Sequence, residues 1–134
     1  MTMTGGRCAA PLSGVTGEDL SRVYYYTIFP NMLLSLHPDY ALIHRIDPIA
    51  HDRTQIVCEW LFHPEAAARG GFNPDDAVAF WNTTNAQDWG ISERSQQGIA
   101  SRAYVPGPYA ELESMVAAWD RNYLAALGDV PDAG

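Results

Sequence analysis

A long helical segment that begins at Asn73 most constrains the fold of this chain. The sequence Asn73-Pro74-Asp75-Asp76 is typical of a helix start, with an Asx cap, a proline at the first position and acids at the positive end of the helix dipole. The pattern predicts a helix that runs to about Ser101, because residues 104–108 contain two prolines and a glycine that interrupt it. We therefore expect one face of a long helix to pack against the rest of a domain.

The helix face that carries Asp88 mixes polar and apolar residues. The positions three, four and seven residues away share this face, and they are Trp81, Thr84, Asn85, Ile91, Ser92 and Ser95. A carboxylate aimed at an apolar interior must be paired, protonated or bound to a metal, which makes Asp88 a candidate site residue. The mixture suits a small pocket, for which Trp81, Thr84, Asn85 and Ile91 are the candidate lining residues. The alternative, which composition alone favours, is an Asp88 bonded to a neighbouring side chain or to water.

Residues 22–62 are predicted to form three strands. The first covers residues 22–37, which are aromatic and aliphatic, and we expect a bulge or an edge position where Pro30 interrupts it. A second strand follows over residues 40–46, and residues 47–52 form a connection. The third strand, residues 53–62, alternates between two faces. The short connections favour an antiparallel meander.

A last helix is predicted over residues 109–127, with Gly128 as its stop. Strands followed by two helices indicate an α+β fold, in which helices cover one face of an antiparallel sheet of about three strands. We expect residues 1–19 to be a flexible N-terminal segment and residues 20–134 to form a partial domain. Because a long apolar edge strand invites pairing, the chain is expected to oligomerise or to lack part of its sheet.

Charge and composition argue against several classes of partner. The chain of 134 residues is 47% apolar and carries a formal charge of −8, without a basic cluster. Nucleic acid and anionic membrane surfaces are therefore not expected partners, and no apolar run is long enough to span a membrane. The first residues do not match a signal peptide, and Cys8 and Cys58 form no CxxC pair, so we expect a cytoplasmic protein.

Several segments, taken in order, resemble the catalytic domain of Rieske non-haem iron ring-hydroxylating oxygenase α subunits. The resemblance covers roughly residues 20–127. It rests on the order and spacing of several segments together, and not on any single segment. Those segments are residues 24–40, residues 53–62, Gln87-Asp88-Trp89, Glu93, Gln96-Gln97-Gly98 and residues 101–109.

The resemblance implies a helix-grip (START/Bet v 1-like) fold and a mononuclear iron held by two histidines and one aspartate. Asp88 would occupy the aspartate position, and such a ligand set leaves positions on Fe(II) open for O2 beside the substrate. Thr84, Asn85 and Gln87 would be groups around the ligand that orient it. The implied activity is O2-dependent hydroxylation of an aromatic or small quaternary-amine substrate by a dioxygenase or a monooxygenase.

The chain departs from the family pattern in its histidines and cysteines. The family's iron histidines lie a few residues apart on an upstream helix, and no such motif is formed by His37, His44, His51 and His63. Of these, His44 is the best remaining ligand candidate. A Rieske [2Fe–2S] cluster needs two cysteines and two histidines, and Cys8 and Cys58 lack the required spacing. The cluster is therefore expected only in the full-length family.

The chain thus resembles the C-terminal third of an oxygenase α subunit, present as a fragment, a truncated product or one piece of a split enzyme. We expect a homo-oligomer that requires the missing N-terminal portion or other subunits, and no oxygenase activity from the chain alone. Two alternatives stay open. One is a stand-alone helix-grip module that binds a hydrophobic small molecule without metal. The other is an assembly protein whose exposed strand edge pairs with a partner.

Overall fold

A computed structural model describes residues 1–128 of the protein. The chain divides into two compact units, Met1–Ser101 and Arg102–Gly134. Within the described residues, the first unit holds the strands and the long helix, and the second holds the last helix. The final six residues of the predicted domain, 129–134, lie outside the described residues.

The first unit contains a four-stranded antiparallel sheet. The strands are β1 (Tyr24–Ile28), β2 (Met32–Leu36), β3 (Ala41–Ala50) and β4 (Arg53–Leu61). Each pairs with the next along the chain: Tyr24 lies opposite Leu36, Leu36 opposite Ala41, and Ala41 opposite Leu61. The predicted α+β class and the antiparallel sheet are confirmed, with four strands where about three were expected.

The single strand predicted over residues 22–37 is wrong. The chain forms two strands, β1 and β2, joined by a tight turn in which Ile28 lies opposite Met32. Pro30 is in this turn, and its peptide bond with Phe29 is cis. Because proline has no N–H to donate to a ladder, the chain reverses direction at Pro30 instead of continuing through it as one strand.

The connection predicted over residues 47–52 is also shorter than expected. Strand β3 continues to Ala50, and only His51 and Asp52 form the turn before β4. Pairing between β2 and β3 stops at Arg45, so Pro48 lies where β3 has β4 as its one paired neighbour. A proline is tolerated there because no second strand requires its missing N–H, and the register shift beside it accommodates the ring.

Within residues 1–128, three helices follow the sheet: α1 (Pro64–Ala68), α2 (Pro74–Ile99) and α3 (Ser114–Leu127). The start of α2 is as predicted, since Asn73 Oδ1 accepts a hydrogen bond from the backbone N–H of Asp75 at 3.2 Å. A short 3-10 segment, Glu111–Glu113, precedes α3, so the helix predicted from residue 109 begins later. It ends before Gly128, whose φ of 75° suits glycine. In residues 1–128, none of the helices has both the length and the apolar character of a membrane span.

The core of the first unit lies between β3, β4 and the first half of α2. Tyr40, Leu42 and Ala77 are fully buried, and Cys8 and Trp81 are nearly so. Around them pack the half-buried side chains of Cys58, Trp60, Phe62 and Phe80.

The N-terminal segment contributes to this core through Cys8. The backbone N–H groups of Cys8 and Ala9 donate to the Asp39 carboxylate at 2.9 and 3.3 Å. Residues 1–16 form no strand or helix, yet these bonds tie the segment to the turn between β2 and β3. The domain boundary predicted at residue 19 and the flexibility of the preceding segment stay predictions.

Candidate functional site

Asp88 lies on α2 and its side chain is exposed. The expectation that it points into an apolar interior is wrong for the described chain. The predicted face is nevertheless the buried one: Ala77, Trp81 and Asn85 are buried, and Asp88 is seven residues after Trp81, within about 20° of its direction around the helix axis. In the part of the chain that the structure describes, no residue of α2 beyond Asn85 is buried. Asp88 therefore lies on the face of α2 that packs on the sheet, but beyond the part of that face that the sheet covers.

The described residues do not form a complete metal site. Within residues 1–128, no three side chains from His, Cys, Asp and Glu come together in a way that could hold a metal ion. His44, the best remaining ligand candidate, is engaged with Asn85 instead, with 3.2 Å between Nε2 and Oδ1. His37 is 3% exposed and stacks on Tyr40. A single carboxylate does not fit an iron centre by itself, so any iron bound at Asp88 requires ligands from outside these residues.

The predicted pocket residues have three different environments. Trp81 and Asn85 are buried against the sheet. Thr84 is half-buried, and its hydroxyl donates to the Phe80 carbonyl within the helix at 3.2 Å. Ile91 is 57% exposed. The structure brings Trp81 and Asn85 together at the sheet, and the assignment of all four residues to a substrate pocket stays a prediction.

Two polar anchors hold α2 on the sheet, one helical turn apart. Trp81 Nε1 donates to the Tyr40 hydroxyl at 2.9 Å. Asn85 contacts two neighbouring strands: its Oδ1 lies 3.2 Å from Nε2 of His44 on β3, and its Nδ2 lies 3.5 Å from Sγ of Cys58 on β4. His44 and Cys58 are directly opposite each other in the sheet. Asn85 therefore bridges a cross-strand pair.

Burial changes the ionisation of the groups around the first anchor. Burial lowers the pKa of His37 to about 4, an effect that the Met1 amino group increases and Asp39 opposes. Burial also raises the pKa of the Tyr40 hydroxyl above its ordinary value. Both groups are therefore neutral at pH 7, as expected for polar side chains in a largely apolar layer.

Sequence reasoning missed this buried polar cluster. The predicted strands end at residue 37 and resume at residue 40, and no core role was expected for this stretch, whereas His37, Asp39 and Tyr40 are all nearly inaccessible to solvent. The available signal was that three polar or aromatic side chains flank a proline between two apolar strands. Their burial depends on α2 and the N-terminal segment, which lie elsewhere in the sequence.

An open cleft of about 380 Å³ lies between the β3–β4 turn and the second half of α2. His51, Asp52 and Arg53 line it from the turn, and Trp89, Glu93 and Gln96 line it from the helix. Asp88 is not among the lining residues. Ser92, on the face that carries Asp88, does line the cleft, so the cleft adjoins this face without including the candidate ligand.

Comparison with known proteins identifies the family. The family model described as ring hydroxylating alpha subunit (catalytic domain) matches residues 1–129. The glycine betaine monooxygenase oxygenase subunit of Chromohalobacter salexigens is 31% identical over 111 residues, which are 82% of this chain and 25% of that protein. The subunit of the same name from Pseudomonas aeruginosa strain UCBPP-PA14 is 30% identical over 112 residues, 83% of this chain and 26% of that protein.

The matched part of the chain thus spans about a quarter of the length of these relatives. The resemblance to Rieske-type oxygenases is confirmed over nearly the whole chain. On these matches, the chain belongs to the ring-hydroxylating alpha subunit family and carries sequence of its oxygenase catalytic domain.

Proposed function

We propose that Asp88 supplies the carboxylate ligand of a mononuclear Fe(II) site in an oxygenase catalytic domain. The observation that carries this proposal is the position of Asp88 on α2. Around the helix axis, Asp88 has nearly the same direction as the buried Trp81, but it lies beyond the last buried residue, Asn85. An exposed carboxylate on the packing face of a helix is available to a metal ion that takes its other ligands from a further part of the domain.

Iron bound there would activate O2, and this chain would supply one of its ligands, the Asp88 carboxylate. The helix is held by Trp81 and Asn85, so the Asp88 carboxylate is presented from a rigid element rather than from a loop. The iron histidines, and the [2Fe–2S] cluster that the family resemblance implies, would come from outside the described residues. The chain alone is therefore expected to have no oxygenase activity.

A small quaternary amine is the proposed substrate class, in preference to an aromatic compound. Two relatives that each match more than four-fifths of this chain are named glycine betaine monooxygenase oxygenase subunits. Monooxygenation is the corresponding reaction type. Partner subunits are proposed on the same ground, because both relatives are named as subunits.

The test uses an oxygenase subunit in which this chain replaces the matching quarter of the Chromohalobacter salexigens relative. We expect this protein to bind iron and to consume O2 when glycine betaine is added. Asp88→Ala should lower its iron content by at least about tenfold, since even groups outside the ligand shell change metal affinity by that factor. Asp75→Ala, which removes an exposed carboxylate from the first turn of the same helix, is the matched control.

Two results would contradict the proposal in separate ways. Unchanged iron content in Asp88→Ala would remove Asp88 from the metal site. Iron-dependent O2 consumption with an aromatic acid but not with glycine betaine would refute the substrate class and leave the ligand assignment standing.

A further inference from the structure

We infer that Asn85, clamped between His44 and Cys58, is a positioning residue that sets the direction of Asp88. The inference rests on the proposed role of Asp88 as an iron ligand. It assigns a function to a buried amide that the packing of the core does not require.

Asn85 is a costly residue to bury at this position. Its side chain is 6% exposed, and the transfer of an amide out of water is unfavourable unless its hydrogen bonds are replaced. An apolar side chain would fill the same space without that cost, as Ala77 does two turns earlier on the same face. A buried polar residue that lowers stability but fixes one register is a known device in helix packing.

The partners of Asn85 define a single orientation of the helix. Its amide oxygen accepts from Nε2 of His44, which requires the proton to be on that ring nitrogen, and its amide nitrogen donates to Sγ of Cys58. The two partners are on neighbouring strands and opposite each other. Rotation of α2 in either direction would lengthen one of these contacts, so the pair restrains rotation of the helix about its axis.

Asn85 is also the last anchor before Asp88. Trp81 is bonded to Tyr40 one turn earlier, and within the described chain no later residue of α2 is buried. Asp88 follows Asn85 by three residues, which corresponds to about 4.5 Å along the axis and a rotation of about 60°. A small rotation of α2 at Asn85 therefore also moves the Asp88 carboxylate.

The first experiment uses the whole 134-residue chain. Residual dipolar couplings of backbone amides report the orientation of α2 relative to β3 and β4. We expect Asn85→Leu to change the couplings of residues 86–92 while those of the two strands stay as in the wild type. Asn82→Leu, at an exposed position of the same helix, should leave both sets unchanged. Couplings of residues 86–92 that do not change in a folded Asn85→Leu protein would overturn the inference.

The second experiment uses the iron-loaded oxygenase subunit in which this chain replaces the matching quarter of the Chromohalobacter salexigens relative. We expect Asn85→Leu to speed iron loss to a chelator about 10–100-fold, the usual effect of losing a group that orients a ligand. It should also alter the electron paramagnetic resonance spectrum of the Fe(II)–nitric oxide adduct, which reports ligand geometry. His44→Phe keeps the ring that packs at 5.9 Å from Trp81 but removes the N–H donor, and it should have the same effect. His44→Gln keeps a donor and should restore most of the iron retention.

The two proposals fail in distinguishable ways. If Asp88→Ala loses iron while folded Asn85→Leu and His44→Phe retain it with an unchanged spectrum, Asn85 has no positioning role and the ligand assignment stands. If Asp88→Ala retains iron, the proposed function fails, and the positioning role of Asn85 fails with it.

Discussion

Trp81 Nε1 donates a hydrogen bond of 2.9 Å to the hydroxyl of Tyr40, and this bond joins the long helix to the sheet inside the core. Tyr40 is fully buried, and its hydroxyl in turn donates to the Met1 carbonyl at 2.7 Å. The His37 ring stacks on Tyr40 with 4.1 Å between ring centroids. One phenol therefore connects the helix, the β2–β3 turn and the N-terminal segment.

Removing this bond should destabilise the fold measurably. Trp81→Phe keeps an aromatic side chain but deletes the N–H donor and part of the ring, so the free energy of unfolding should fall by about 2–4 kcal/mol. Urea denaturation followed by circular dichroism measures this change. Trp89→Phe is the control, because Trp89 is 38% exposed on the same helix and its loss should cost less than about 1 kcal/mol. Equal losses in the two variants would show that the Tyr40 bond contributes nothing.

The buried His37 should make stability depend on pH. Burial lowers its pKa to about 4, whereas in the unfolded chain it titrates near 6.5. Between these values the unfolded chain binds the extra proton, so stability falls as pH decreases from about 6.5 to 4 and the loss stops below pH 4. At pH 5 the contribution of His37 to this loss is about 1–2 kcal/mol.

The comparison between variants isolates His37 from the carboxylates. The free energy of unfolding is measured in urea at pH 7 and pH 5 for the wild type, for His37→Gln and for His51→Gln. We expect His37→Gln to show a smaller decrease between the two pH values than the wild type. His51→Gln, at the exposed β3–β4 turn, should behave as the wild type. Identical decreases in all three proteins would exclude a buried neutral His37.

The Cys8 thiol should be protected from alkylation. Burial, followed by its hydrogen bond and charge interaction with Asp39, raises the pKa of Cys8 from 9.0 to about 12. Because the thiolate is the reactive form, alkylation at pH 8 should be about 1000-fold slower than in the unfolded chain.

Cys58 is the internal reference for this measurement. It is half-buried, and burial raises its pKa as well. Iodoacetamide labelling followed by mass spectrometry in Cys58→Ala and Cys8→Ala gives the rate of each thiol separately. We expect Cys8 to react more slowly than Cys58 in the native protein and at a similar rate in urea. Faster native labelling of Cys8 would mean that the N-terminal segment is not packed against Asp39.

Local sequence rules predicted the elements whose ends are marked by local chemistry. The start of α2 at Asn73 and the end of α3 before Gly128 are confirmed because caps, prolines and positive-φ glycines act within one turn. The alternation over residues 53–62 likewise predicted β4. The β1–β2 turn was missed because residues 22–37 have the same composition whether they form one bulged strand or two strands around Pro30.

The sequence by itself determined the family, the α+β class and the helix face on which Asp88 lies, since these depend on motifs and on the 3.6-residue period. Tertiary structure alone decided which part of that face is covered. Trp81 and Tyr40, and likewise Asn85 and His44, are 41 residues apart in the chain. Such contacts depend on how the sheet and the helix pack, which periodicity does not specify. For that reason Asn85 is the last buried residue of α2 and Asp88, on the same face, remains exposed.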